Sequence, residues 1–242
     1  MTNSSTYLRY EALRTARNWP FLVLSLAFPL ILLLVVGGSH RHTHLDGISF
    51  PLYYMVGMAS WGAMGAVVAT GARISAERQG GWTRQLRLTP LSVRSYLTAK
   101  VVTGYLVALL GLAVIYLAGA GLGVHLPATG WLLMTGLILV GLVPFALAGV
   151  ALGHLLRPEV LGPAIGGLTS LLALAGGAWG PLLTGSLAGI AKALPSYWLV
   201  QASVAGLDRR VWGVEGWGVM AAWTLVLVPV AVAAYRRDTA RV

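Results

Sequence analysis

Long apolar runs constrain the fold of this chain more than any other feature of its sequence. Six such runs alternate with short polar segments along the chain. A helix of about 20 apolar residues spans the hydrocarbon core of a bilayer, so each run predicts a membrane-spanning helix. The predicted spans are residues 20–36, 51–71, 96–124, 131–152, 161–174 and 217–235.

The composition supports a single membrane domain that occupies residues 1–242. Hydrophobic residues make up 57% of the chain and charged residues 10%, whereas soluble proteins average about 45–50% and about 25%. Six spans leave no room for a second sizeable soluble domain. A cleaved signal peptide is the rival interpretation of residues 20–36, but no small-residue cleavage pattern follows that run.

The basic residues predict which loops face the cytoplasm. The net charge is +10, and most of the 17 Lys and Arg residues lie at the two termini and in the loops after the second and fourth spans. Cytoplasmic loops are enriched in Lys and Arg, so both termini are predicted to be cytoplasmic. Because the basic residues flank apolar runs, we expect the lipid bilayer as their partner and no nucleic acid.

Residues 1–18 precede the first apolar run and mix apolar with basic side chains. This mixture predicts an interfacial helix that lies on the membrane surface. A frayed polar tail is the alternative.

Residues 74–92 form a charged segment between the second and third spans. Glycine tolerates the left-handed conformation that ends many helices, so Gly80 and Gly81 predict the end of a helix that extends the second span. A short transverse helix can then restart. It ends at Thr89, because the residue before Pro90 is pushed out of the helical region.

The restarted helix has two distinct faces. Trp82 and Leu86 lie at i and i+4 and form an apolar face, whereas Arg84 and Arg87 lie at i and i+3 and form a basic face. An exposed Trp and Leu surrounded by Arg is typical of a protein docking surface. A helix that lies flat on the headgroups, with Trp82 as its anchor, is the alternative.

Residues 177–198 form a second irregular stretch, which contains Pro181 and Pro195. The stretch is too broken to cross the bilayer, so a re-entrant or interfacial helical hairpin on the outer side is predicted. Irregular backbone persists at membrane depth only where protein or a water-lined cavity covers it. The hairpin is therefore expected to cap a pathway, and an amphipathic outer loop is the alternative.

Charged side chains avoid the middle of the predicted spans. None of the seven acidic residues falls there, which argues against ion-coupled transport and proton relays. Lys100 lies near the cytoplasmic end of the third span, and we expect its ammonium group to extend to the headgroups.

The sequence predicts no enzymatic site. A P-loop of the form GxxxxGK[ST] is absent, so this chain cannot hold ATP phosphates in that manner and any motor is another polypeptide. No His or carboxylate accompanies the Ser and Thr residues of the spans, which argues against a hydrolase.

Three histidines alternate in the loop after the first span. In an extended strand His40, His42 and His44 would share one face, so a three-His metal site is geometrically possible. We interpret the stretch as a solvated loop and assign no metal site.

Two motifs carry a resemblance to a known family. Residues Glu77-Arg78-x-x-Gly81 followed by Leu86-x-x-Thr89-Pro90-Leu91-Ser92 resemble the coupling segment of type-2 ATP-binding-cassette (ABC) exporter membrane subunits, or permeases. The stretch that contains Gly177, Pro181, Leu194 and Pro195 is similar to the outer hairpin of that family. One departure is Trp82, where the family commonly has a small hydroxyl residue.

The resemblance implies an all-α membrane protein in the bacterial plasma membrane. It has six transmembrane helices, an N-terminal interfacial helix, a cytoplasmic coupling helix at 74–92 and an outer re-entrant hairpin at 177–198. The residues expected to contact the motor are Glu77, Arg78, Gly81, Trp82, Leu86, Thr89 and Pro90. The residues expected at an outer gate are Gly177, Pro181, Leu194 and Pro195.

The resemblance also implies partners and a function. Two ABC ATPase subunits on separate chains bind ATP and Mg, and a second permease subunit, identical or related, completes the pathway. This chain itself then holds no cofactor. The implied function is export of a lipophilic or amphipathic substrate, a drug or antibiotic foremost. The alternatives are export of a lipid-linked polysaccharide, or a channel or accessory anchor that needs no motor.

Overall fold

The computed structural model describes residues 2–45, 47–82, 85, 89, 91–180, 183, 185–208 and 211–239. The described chain is almost entirely helical, apart from two short antiparallel strands, β1 (His44–Leu45) and β2 (Ile48–Ser49). The α-helices are α1 (Thr2–Ala16), α2 (Trp19–Leu32), α3 (Phe50–Ala72), α4 (Ile74–Gln79), α5 (Val93–Gly121), α6 (Ala128–Gly141), α7 (Val143–Leu155), α8 (Pro158–Ala175), α9 (Ala188–Lys192), α10 (Pro195–Asp208) and α11 (Val214–Thr239). The all-α prediction is confirmed.

Within the described residues, five helical stretches are long and apolar enough to cross a membrane. They are Phe50–Gln79, Val93–Gly121, Ala128–Leu155, Pro158–Ala175 and Val214–Asp238. The first apolar run forms a shorter apolar helix, Ser25–Gly37. This stretch contains Pro29 and ends in the π-helical turn Leu33–Gly37.

Helix α3 is the centre of the bundle. It packs along α5 and α7 and also contacts α2, α8 and α10, and most of its side chains are buried. Glycines permit the closest approach: a Cβ atom at Gly71 would lie 2.7 Å from the backbone of Gly149, and one at Gly149 would lie 2.6 Å from the Val68 carbonyl oxygen. Small residues let helix backbones approach in this way.

The predicted fourth span, 131–152, lies within one apolar helical stretch that has a local break at Leu142. Helix α6 ends at Gly141, and α7 begins at Val143 with Pro144 in its first turn. Proline has no backbone N–H, so it cannot continue the hydrogen-bond ladder of the preceding helix, but it fits the first turn of a new one.

The stretch 177–198 contains short turns and the start of a longer helix. Gly177 and Gly180 have φ angles of 86° and 125°, which favour glycine. A single 3₁₀ turn, Gly185–Leu187, leads into α9. Helix α10 begins at Pro195 and continues to Asp208, so residue 198 lies inside it. Its side chains Leu199, Val200, Ala202 and Ala205 are buried, and it packs against α6 and α3.

Candidate coupling site

Helix α4 forms the first part of the charged segment 74–92 and follows the long helix α3 directly. Arg73 separates the two helices with helical backbone angles, so α4 extends α3 with only a local break. Glu77 faces α1 and α5, whereas the other polar side chains of α4 face α7, α8 and α11. Glu77 and Arg78 are both expected motor contacts and are adjacent in sequence. Each belongs to a different group of charged side chains.

Glu77 belongs to a buried ionic cluster with α1 and α5. Its carboxylate accepts a hydrogen bond from the Tyr96 hydroxyl at 2.7 Å and lies 2.5 Å from the Lys100 ammonium nitrogen. Lys100 also lies 2.5 Å from the Glu11 carboxylate of α1. Arg14, which is about half exposed, pairs with Glu77 at 2.9 Å. Two buried carboxylates therefore face one buried ammonium group and one partly exposed guanidinium group.

The expectation that Lys100 reaches the headgroups is wrong. Its side chain is 0% exposed, and Glu11 and Glu77 are each 3% exposed. A buried charge is tolerated where it is paired and hydrogen-bonded, and two carboxylates meet that requirement here. Helix α1 therefore does more than lie on a surface, because its Glu11 side chain is inserted between α4 and α5.

Two further contacts bind α1 to the bundle. The Arg73 guanidinium group donates a hydrogen bond to the Thr15 hydroxyl at 2.9 Å. The rings of Tyr7 and Tyr96 lie 6.0 Å apart. Burial raises the pKa of Tyr7 well above its ordinary value, and the negative charges of Glu11 and Glu77 raise it further.

Arg78 joins α4 to α7 and α11 on the other side. Its guanidinium group pairs with Asp238 at 2.6 Å and donates to the carbonyl oxygens of Gly153 and His154 at 3.1 and 2.8 Å. The His154 Nδ1 atom lies 2.9 Å from the other oxygen of Asp238. These contacts satisfy the carbonyl groups at the end of α7, which have no partner within the helix.

Two further polar residues of α4, Ser75 and Gln79, also bond to neighbouring parts of the bundle. The Ser75 hydroxyl donates to the Leu156 carbonyl oxygen at 2.6 Å, and the Gln79 amide donates to Glu159 of α8 at 3.1 Å. Helix α4 is thus bonded to α1 and α5 through Glu77 and to α7, α8 and α11 through its other polar residues. We call this end of the bundle the charged end.

The described part of the charged segment beyond α4 begins with a turn at Gly80 and Gly81. Gly81 has a φ angle of 72°, as expected for a residue that ends a helix. Trp82 follows and is 40% exposed, and the Gln85 and Thr89 side chains are also exposed. Leu86 and Pro90 lie outside the described residues. Helix α5 then begins after Ser92, whose hydroxyl accepts a hydrogen bond from the Ser95 backbone N–H at 3.2 Å.

The expected gate residues lie at the opposite end, except for Pro181, which lies outside the described residues. The Tyr53 hydroxyl of α3 donates a hydrogen bond to the Gly177 carbonyl oxygen. Leu194 and Pro195 mark the step from α9 to α10, where the Tyr197 N–H donates to the Leu194 carbonyl oxygen at 3.2 Å. Gly177 and Pro195 thus lie at the bases of the irregular stretch.

In the histidine loop, the His40 ring contacts residues that lie near it in the chain. The His40 ring lies 5.0 Å from the Phe50 ring, and its Nδ1 atom lies 2.9 Å from the Ser39 hydroxyl. In the part of the chain that the structure describes, no three His, Asp or Glu side chains are grouped closely enough to hold a metal ion.

Comparison with known proteins identifies the family. The sequence profile of the family described as "ABC-2 type transporter" matches residues 3–207. The chain is also similar to a Bacillus subtilis (strain 168) protein described as "Putative transport permease YvfS", with 32% identity over 192 residues. The aligned region covers 77% of this chain and 78% of that protein. The chain belongs to the ABC-2 type transporter family.

Proposed function

We propose that this chain is the membrane subunit of an ATP-driven exporter, and that ATPase subunits on separate chains drive it through the charged segment. Members of the ABC-2 type transporter family are integral membrane subunits of ABC transporters. Export, the nature of the substrate and the site of motor contact go beyond family membership and are the proposal.

The observation that carries the proposal is the position of α4 between the exposed Trp82 and the rest of the bundle. Glu77 is bonded to α1 and α5, and Arg78 is bonded to α7 and α11. A force applied at Trp82 would therefore reach helices on both sides of α4 through charge-assisted hydrogen bonds, which are stronger than neutral ones. Packed elements that have two discrete arrangements transmit such displacements.

The motor is expected to be a separate protein. The sequence contains no P-loop, so ATP and Mg would bind to two ABC ATPase subunits. Trp82, 40% exposed beside the charged residues, suits a protein contact, because Trp and Arg are enriched at the energetic centres of interfaces. A second membrane subunit, identical or related, would complete the pathway, with Gly177, Pro181, Leu194 and Pro195 at its outer gate.

The charged end is proposed to face the cytoplasm. Helix α1, helix α4 and the last turn of α11 meet there through Glu11, Glu77, Arg78 and Asp238. Both termini would then be cytoplasmic, in agreement with the distribution of Lys and Arg. Six spans, with 20–36 as the first, would give this arrangement.

The substrate is proposed to be lipophilic or amphipathic, a drug or antibiotic foremost. The middle of each long apolar helix lacks acidic side chains, so an ionic substrate or a coupling ion would find no buried partner there. Export of a lipid-linked polysaccharide is the alternative within the same mechanism. A channel or anchor without a motor is the alternative outside it.

The test compares Trp82→Ala with a tryptophan of matched exposure at the opposite end. Trp217 is 42% exposed and therefore serves as the control through Trp217→Ala. Each variant is co-expressed with a candidate ABC ATPase, and ATP-dependent uptake of a fluorescent lipophilic dye is measured in inverted vesicles. We expect Trp82→Ala to lower uptake and ATPase association at least about ten-fold, because interface hot spots contribute about 2 kcal/mol or more.

Dye uptake and ATPase association should be the same for Trp217→Ala as for the unmodified chain. Dye movement that does not require ATP would support the channel alternative. Loss of uptake in both variants, or in neither, would contradict a motor contact at Trp82.

A further inference from the structure

A groove that holds one basic and one acidic side chain lies at the end of the bundle opposite the charged end. It is formed where the C-terminal end of α9 and the first turns of α10 and α11 meet, and its volume is about 460 Å³. The residues that line it include Lys192, Trp198, Glu215, Gly218, Val219 and Ala222. None of them belongs to the coupling site.

Two indole groups fix the shape of the groove. The Trp198 Nε1–H donates to the Lys192 carbonyl oxygen at 2.8 Å, and the Trp223 Nε1–H donates to the Ala193 carbonyl oxygen at 2.9 Å. Gly216 lets α11 approach α10, since a Cβ atom there would lie 2.5 Å from the Trp198 ring. At Gly218, in contrast, an added Cβ atom would meet nothing within 4 Å. The indole hydrogen bonds therefore hold the walls of the groove in place, and the space beside Gly218 is unfilled.

The charges at the groove have opposite sign and no partner among the described residues. Lys192 and Glu215 are both exposed, and across the described ranges neither forms an ion pair or a side-chain hydrogen bond. The remainder of the wall is apolar or aromatic. A ligand that carries an anion, a cation and an apolar part would complement this wall.

The aromatic residues around the groove indicate its depth in the membrane. Trp198, Trp212, Trp217 and Trp223 all lie on α10, on α11 or between them, near this end. Tryptophan is enriched at the level of the lipid headgroups. Further along α11 the side chains of Leu225 and Val226 are 73% and 57% exposed. The groove thus opens sideways onto an apolar helix face that leads toward the hydrocarbon core.

We propose that this groove binds a zwitterionic phospholipid from the surrounding leaflet. The Lys192 ammonium group pairs with the phosphate, the Glu215 carboxylate pairs with the headgroup ammonium, and an acyl chain follows Val219 and Ala222 along α11. An anionic phospholipid satisfies Lys192 but leaves Glu215 facing a negative lipid. Lipid binding at this groove requires only that the chain lies in a membrane. It does not require a motor or a particular direction of transport.

The test measures lipid binding to the full chain in detergent by native mass spectrometry. The two probes are phosphatidylethanolamine and phosphatidylglycerol with identical acyl chains. We expect the unmodified chain to bind phosphatidylethanolamine about three- to five-fold more tightly, the range of one partly exposed ion pair.

Three variants test separately how the two charges and the cavity contribute to lipid binding. Lys192→Ala should weaken binding of both lipids, because both carry the phosphate. Glu215→Gln should weaken only phosphatidylethanolamine and so abolish the preference. Gly218→Leu fills the groove and should weaken both lipids, whereas Gly136→Leu, at an exposed helical glycine that also has nothing within 4 Å of an added Cβ atom, should change neither.

Equal binding of the two lipids by the unmodified chain would overturn the proposal. Unchanged binding in Gly218→Leu would overturn it as well, even if Lys192→Ala had an effect. Transport activity is not part of the measurement, so the outcome is independent of the proposed exporter function.

Discussion

The ammonium nitrogen of Lys100 lies 2.5 Å from the Glu77 carboxylate, and no part of the lysine side chain is exposed. Lys100 is on α5 and Glu77 is on α4, and the same ammonium group also reaches Glu11 of α1. One cation therefore joins three helices at the charged end. The segment expected to receive the motor is attached to the bundle at this point.

Removal of the cation should destabilise the chain strongly. In Lys100→Met, the carboxylates of Glu11 and Glu77 remain buried and lose their shared partner. Loss of one partner from a buried ion pair costs about 3–5 kcal/mol, and we expect a decrease of that size in the free energy of unfolding. The measurement is thermal unfolding of the purified chain in detergent.

The matched control uses the other lysine of the chain. Lys192 is exposed, so Lys192→Met should change the unfolding free energy by no more than about 0.5 kcal/mol. Equal unfolding temperatures for the two variants would show that Lys100 is not buried between two carboxylates.

The second charged pair should show a measurable coupling energy. Arg78 and Asp238 have side-chain exposures of 30% and 15% and are 2.6 Å apart. A double-mutant cycle with Arg78→Gln and Asp238→Asn should give a coupling of about 1 kcal/mol in unfolding free energy. Because Gln79 and Glu159 are exposed partners, a cycle on that pair serves as the control and should give less than about 0.5 kcal/mol. Similar couplings in both cycles would contradict the partly buried contact.

Two glycines of the central helix should respond oppositely to the same change. At Gly57 an added Cβ atom would overlap the Ala178 carbonyl oxygen, whereas at Gly65 it would meet nothing within 4 Å. Gly57→Ala should therefore cost about 1–3 kcal/mol through overpacking. Gly65→Ala should stabilise the chain by about 0.5–1 kcal/mol, because alanine loses less backbone entropy in a helix. Destabilisation by both, measured by thermal unfolding, would mean that Gly65 also lies at a packed crossing.

The helical class and most span positions could be predicted because they depend on local hydrophobicity. The length of an apolar run determines whether it can cross a bilayer, and five stretches in the described chain meet that criterion. The break within 131–152 and the burial of α10 could not be predicted in the same way. Helix α10 is 14 residues long, and its burial depends on α6 and α3, which pack on it from distant parts of the chain.

The candidate coupling site was only partly predictable, because its contacts are distant in sequence. Glu77 and Arg78 were predicted from a motif, but Lys100 is 23 residues from Glu77 and 89 from Glu11. Spacing cannot place these side chains together. One signal was present in the sequence: Lys100 lies within an apolar run, and ionisable residues in such positions face the bundle interior and pair with one another.

The buried position of Glu77 predicts that its role differs from that of Trp82. Glu77→Gln leaves Lys100 with one carboxylate partner instead of two, so the isolated chain should lose about 1–3 kcal/mol of unfolding free energy without any ATPase present. Trp82→Ala removes a side chain that is 40% exposed and carries no charge. It leaves the Glu77–Lys100 pair intact and should cost less unfolding free energy than Glu77→Gln. Its main effect should appear when an ATPase subunit is added. Thermal unfolding of the isolated chain, followed by binding of the ATPase subunit to each variant, separates the two roles. If Glu77→Gln unfolded at the unmodified temperature and lost ATPase binding, Glu77 would contact the motor directly and the buried cluster would not hold α4 in place.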